Sequence, residues 1–134
     1  MKKQDKQAEF IMKTLDELVP QDNELRLIQK HFDFEFIYEA TKPLYSEIGR
    51  PSIDPVNIFK IELINILNGY NSIRKTMREI NLNVAYRWFL NIPFSEEVPH
   101  FSTLSQLYRR KFEENEVYEQ IFVNIMKQLR AKGL

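Results

Sequence analysis

Apolar residues recur at intervals of three and four along almost the whole chain, and strict alternation is scarce, so the pattern predicts helices throughout. A first helix is expected from Glu9 to Leu18, with Phe10, Ile11, Leu15 and Leu18 on one stripe and Pro20 just past its end. Asp22 is placed to cap a second helix, in which Leu25, Ile28 and Phe32 share a face. A third helix, from about Phe34 to Lys42, should stop near Pro43. The stretch LYSEIGRPSIDP then reads as a loop, with Gly49, Pro51 and Pro55 as its punctuation.

Asp54 followed by Pro55 is a start signal: a capping carboxylate, then a residue whose φ is already helical and which has no amide to satisfy. From Val56 to Asn68 the chain is apolar almost all round (Val56, Ile58, Phe59, Ile61, Leu63, Ile64, Ile66, Leu67), as a helix at the centre of a bundle must be. Gly69 is well placed to end it. Ser72 should cap SIRKTMREI, and Asn83 should cap NVAYRWFL after a turn at Asn81–Asn83, where Asn81 tolerates a left-handed conformation. NIPFSEEVP is a loop, Ser102 can cap TLSQLYRRKF, and Val117 to Arg130 forms a last amphipathic helix before Gly133. The expectation is an all-α fold: one compact domain over residues 1–134, with seven or eight helices. Residues 72–90 have the length of a helix-turn-helix unit.

Composition narrows the chemistry. A chain of 134 residues can bury roughly two-thirds of its unfolded surface, so it needs no metal or disulfide staple. It has no Cys, which removes thiolate chemistry and agrees with a cytoplasmic protein. No apolar run reaches the roughly 18 residues of a membrane span, and MKKQDKQAEF lacks the apolar core of a signal peptide. The only histidines, His31 and His100, lie 69 residues apart, and no HExxH, P-loop or Gly-rich phosphate loop is present. No catalytic residue, cofactor, metal set or small-molecule substrate is therefore expected.

Net charge is zero, yet its distribution is uneven. Residues 72–112 carry 7 basic against 3 acidic side chains, a local balance of +4, while residues 1–71 balance at −3 and 113–134 at −1. A local excess of one sign concentrates an oppositely charged partner whatever the total. On SIRKTMREI, helix geometry sets Ile73, Met77 and Ile80 on one face and gathers Arg74, Lys75 and Arg78 on the other. Arg87 is the only charge in the apolar NVAYRWFL; it either reaches a ligand or pairs with a carboxylate inside the domain.

In PHFSTLSQLYRRKF, residues 99–112, the buried stripe is Leu104, Leu107, Tyr108 and Phe112, led in by Phe101. The opposite side carries Ser102, Thr103, Gln106, Arg109 and Arg110, with Lys111 snorkelling outward and His100 beside the helix start. Hydroxyls and helix N-terminal amides hold phosphate oxygens, and Arg reaches phosphates or guanine edges. The plainer reading leaves Ser102 as a cap and the arginines solvated or paired with Glu113 and Glu114.

The ordered set LVPQDNELR, FIYE, LYSEIGRPSIDPVNIFK, SIRKTMREINLNVAYRWFL and VPHFSTLSQLYRRKF resembles the N-terminal domain of bacterial insertion-sequence transposases of the IS5/IS1182 type (InsH-like, domain of unknown function 772). The resemblance runs from about Leu18 to the C-terminus, with residues 1–17 as a leader helix outside it. It implies a helical domain that binds the element's terminal inverted repeats in double-stranded DNA, ahead of a catalytic domain with an Asp-Asp-Glu metal triad. The chain ends at AKGL, about where that catalytic domain would begin, so the expectation is a targeting module without its nuclease. The alternative is an interaction module that self-associates as a homodimer or binds full-length transposase, through Phe10, Ile11 and Leu15 or through Val117, Ile121, Ile125 and Leu129. The bases are expected to be read by the helix from Ser102 or by the helix from Asn83, with residues 74–78 on backbone phosphates.

Overall fold

A computed structural model describes residues 6–45, 53–69, 72–100, 102–103 and 116–133. Among these there are seven helices and no strand, arranged as one compact all-α domain: α1 (Leu15–Leu18), α2 (Glu24–His31), α3 (Glu35–Tyr45), α4 (Pro55–Leu67), α5 (Ile73–Leu82), α6 (Val84–Leu90) and α7 (Glu116–Ala131).

Local signals fix most starts. Asp54 Oδ1 accepts from the Val56 amide at 2.8 Å with Pro55 in the first turn, and Ser72 accepts from the Lys75 amide. The second helix is capped by Asn23, one residue after the expected Asp22. Gly69, at φ +64°, follows the end of α4. The first helix is much shorter than expected. Thr14 and Glu17 form a reciprocal capping box that starts it at Leu15, and Phe10, Ile11 and Met12 stand exposed ahead of it, outside any helix. The third helix passes Pro43 and ends at Tyr45, since a proline close to the last turn interrupts little of the ladder.

The core is built around α4. Val56, Ile58, Phe59, Ile61, Leu63 and Ile64 are all buried, although Ile66 and Leu67 in its last turn are exposed. α3, α5 and α6 pack on it, α1 and α2 pack on α6, and α7 packs on α3 through Ile121, Ile125 and Leu129. Each fully buried large side chain contributes about 1.5–3 kcal/mol. These three side chains of α7 are therefore core, while that of Val117 lies outside the described residues. The Lys132 ammonium closes the other side by donating to the His31 carbonyl.

Polar contacts carry the arrangement of α6. Its last carbonyls are all satisfied. Asn91, left-handed at φ 57°, turns its amide and that of Ile92 back onto Arg87 and Trp88. Lys60 Nζ of α4 donates to the Phe89 carbonyl at 2.8 Å, and Asn57 Nδ2 donates to that of Leu90 at 3.0 Å. Lys60 is 7 % exposed, also donates to Gln29 Oε1 at 2.8 Å, and lies over the rings of Phe34 and Phe89. Burial pulls its ammonium down to about 8. At the outer end of α6, Trp88 Nε1 donates to Asp16 Oδ1, and the Arg26 guanidinium lies 4.6 Å from the indole while paired with the same carboxylate. The hydrogen bond and charge of Arg26 hold the Asp16 carboxyl below its usual range.

Arg87 settles differently from either expectation. It is 6 % exposed, and among the described residues its guanidinium meets no carboxylate. Its guanidinium donates to the carbonyls of Asn81 (3.1 Å), Pro93 (2.9 Å) and Glu96 (3.1 Å), and to Asn81 Oδ1 (2.7 Å). Asn81 itself is helical, because α5 continues to Leu82. Asn83 alone separates α5 from α6, ending one and capping the other, so the three-residue turn is absent. Every residue of α6 is buried or half-buried.

Two consequences follow for stability. Arg87→Leu strips the donor from three carbonyls and one carboxamide, and should cost about 2–4 kcal/mol in urea unfolding; a change below about 0.5 kcal/mol, the scale of an ordinary surface substitution, contradicts the clamp. For Lys60 the folded value, about 8, lies below the unfolded lysine value near ~10.4. The unfolded chain binds the extra proton between those values, so this group adds stability as pH rises through that window. Wild type should gain on Lys60→Met between pH values of about 8 and 10 in parallel melts. A constant difference contradicts the burial of the charge.

Candidate nucleic-acid interface

The basic side chains of α5 are placed by its apolar face. Met77 and Ile80 are buried, Ile73 packs against the core, and Thr76 Oγ1 donates to Asn65 Oδ1 of α4 at 2.7 Å. Rotation about the helix axis is thereby fixed, and Arg74, Lys75 and Arg78 stand exposed on the opposite side. The spacing of the sequence is enough to find this face, since buried and exposed positions follow the 3.6-residue period.

The neighbouring wall comes from the segment that Arg87 clamps. Asn91 turns the chain out of α6, the guanidinium holds the Pro93 and Glu96 carbonyls, and the chain then runs back along α5. Residues 97–100 face that helix across a groove of about 460 Å³. Arg74, Arg78 and Asn81 line one side, with Met77 between them; Glu97, Val98, Pro99 and His100 line the other. Lys75 is outside the groove, on the same exposed side of α5.

At the end of this wall a helical turn begins with Ser102 and Thr103. The cap is not Ser102 but His100. Its Nδ1 accepts from the Ser102 amide at 3.2 Å and lies 2.7 Å from Ser102 Oγ, while its carbonyl accepts from the Thr103 amide at 3.1 Å. An Nδ1 that accepts from an amide leaves the proton of the neutral ring on Nε2. Ser102 is exposed and Thr103 half-buried beside it.

The structure thus brings together Arg74, Arg78 and His100, with Lys75, Ser102 and Thr103 around them. Arg87 is excluded by burial, its donors being spent on the domain's own backbone. Gln106, Arg109, Arg110 and Lys111 lie outside the described residues. Sequence reasoning missed Asn81 and Glu97 as groove residues. The one was assigned to a turn, and the other counted only as charge in a loop. Among the described residues no group of three or more His, Asp or Glu side chains is arranged to hold a metal ion, and no helix is long and apolar enough to cross a membrane.

No curated protein and no solved structure matches the chain significantly. One family model does, described as a transposase domain (DUF772), and it matches residues 13–110. That span includes every element from the Thr14 cap to α6, both walls of the groove and the turn at Ser102. With about three-quarters of its length inside the match, the chain belongs to the transposase domain family DUF772, and its role lies in transposition.

Proposed function

We propose that this domain binds double-stranded DNA at the terminal inverted repeats of an insertion sequence, as the targeting part of a transposase, with no catalysis of its own. One observation carries the reading. The exposed cations of α5 and the His100–Thr103 turn share one side of the domain, in a chain whose excess positive charge falls within residues 72–112. Guanidiniums and hydroxyls are the groups that hold phosphate oxygens. Of the two helices expected to read bases, α6 turns all of its residues into buried or half-buried positions, which favours the other. The segment from Ser102 therefore remains the base reader in this proposal, with α5 on the backbone.

A second reading, a protein-interaction module, rests on a different feature. Phe10, Ile11 and Met12 are exposed next to one another, as a segment awaiting a partner would be. The companion stripe of α7 does not support it, because Ile121, Ile125 and Leu129 are buried within the domain. The partner in that reading is a second copy or a full-length transposase. Light scattering at high concentration reads the first case directly.

The DNA reading is tested by fluorescence anisotropy with an end-repeat duplex and a scrambled duplex across a salt series. The end repeat should bind tighter, and affinity should fall steeply with salt. Arg74→Ala, Lys75→Ala and Arg78→Ala combined should weaken both duplexes alike and flatten the log–log salt slope by about 2–3, one counterion step per lost phosphate contact. An unchanged slope removes α5 from the interface. Equal binding to both duplexes shifts the account to the interaction module.

A further inference from the structure

We propose that the outward face of α7 is a contact between two copies of this chain, paired antiparallel about a two-fold axis at Val123. This face lies opposite the one that Ile121, Ile125 and Leu129 bury in the core. Along it Glu116, Glu119, Val123, Lys127 and Arg130 recur at intervals of three and four, and all five are exposed. Val123, 44 % exposed, is the one large apolar residue of the stripe and stands at its middle. Glu116, Glu119, Val123 and Lys127, with Gln120 and Asn124 beside them, line one hollow of about 490 Å³.

The charges are sorted along the stripe. Both acids precede Val123 and both bases follow it. No acid of α7 stands three or four residues from a base, so the helix lacks the ion pairs that would neutralise its surface locally. Within one copy Glu119 and Lys127 are about 12 Å apart along the axis, and Glu116 and Arg130 about 21 Å. Among the described residues none of the four is in an ion pair. The helix dipole favours acids at the start and bases at the end of a single helix. It gives no reason for an exposed valine midway between them.

A second copy supplies what the first lacks. Glu119 and Lys127 each lie four residues from Val123, and Glu116 and Arg130 each lie seven. In an antiparallel pair centred on Val123, Glu119 meets Lys127 of the second copy and Glu116 meets Arg130 of the second copy. The two-fold repeats both pairs. The two Val123 side chains meet on the axis, flanked by the aliphatic stems of the bases. A parallel pair would set like charges together along the whole stripe, so charge fixes the orientation. α7 has 16 residues and is about 24 Å long. One helix pair of that length is a small interface, so association is weak, concentration-dependent and reduced by salt. α7 lies beyond the matched residues 13–110, and the contact does not depend on the DNA-binding reading.

The test is sedimentation equilibrium of the full chain over a concentration series at low salt. The average mass should rise from 16.1 kDa toward twice that value and fall back as salt is added. Glu119→Lys and Lys127→Glu should each weaken association about tenfold, since each sets two like-charged pairs across the axis. An equimolar mixture of the two variants should restore it, because one copy then carries bases at both positions and the other carries acids. Misfolding of either variant cannot produce that recovery. Val123→Glu, a change at an exposed site, should give a monomer of unchanged helix content. A wild-type chain that stays monomeric, single charge variants that associate as wild type does, or a mixture no tighter than its components would each overturn the proposal. Association that ignores the charge variants and is lost on replacing Phe10, Ile11 and Met12 by Ser would assign it to that segment instead.

Discussion

Everything on the candidate surface depends on how the short helix α6 is held. Seven residues cannot sustain a helix in water, because nucleation is costly and few hydrogen bonds return it. The helix persists because its ends and its flanks belong to other elements. Asn83 caps its start while ending α5, and Lys60 and Asn57 of α4 take its last two carbonyls. The charge of Lys60 sits at the negative end of the helix, where a cation is favoured, and between two aromatic faces. Arg87 then ties α5 to the loop that leaves α6, and Trp88 ties in Asp16 of α1. Replacing any one of these groups should loosen several neighbours together, since each spans two elements.

This scaffold explains why a domain of zero net charge can present a cationic side. Arg87 is counted among the basic residues of the 72–112 stretch, yet its charge is turned inward onto backbone carbonyls. What it contributes to the surface is position: with Pro93 and Glu96 fixed, residues 97–100 return alongside α5 and form the second wall of the groove. α6 is thus the support of the groove, while α5 and the turn at Ser102 carry the exposed groups beside it. The family match, over residues 13–110, covers both the support and the surface.

Much of the fold was legible in the chain, and the reasons differ by element. Asp54–Pro55, Ser72, Asn83 and Gly69 act within a few residues of themselves, so their roles can be read directly. The period of α4 and α7 was legible because burial on one or all sides leaves a pattern. The first helix was misplaced because Phe10 and Ile11 continue the apolar spacing without any surface to bury them, whereas the Thr14–Glu17 box states the true start. Arg87 and Lys60 could not be resolved from sequence, since most of their acceptors are main-chain carbonyls, which every residue carries. The same holds for His100. Its capping of the Ser102 turn depends on a side chain rarely used as a cap, next to a serine that usually is one.

The central claim is that α5 and the adjoining turn meet DNA while α6 stays inside. Chemical footprinting with arginine- and lysine-selective reagents, with and without the end-repeat duplex, tests it most directly. The account predicts that DNA protects Arg74, Lys75 and Arg78, that Lys127 and Arg130 of α7 react equally in both states, and that Arg87 is unreactive throughout. Equal modification of the three α5 cations with and without DNA, or protection confined to α7, would contradict it.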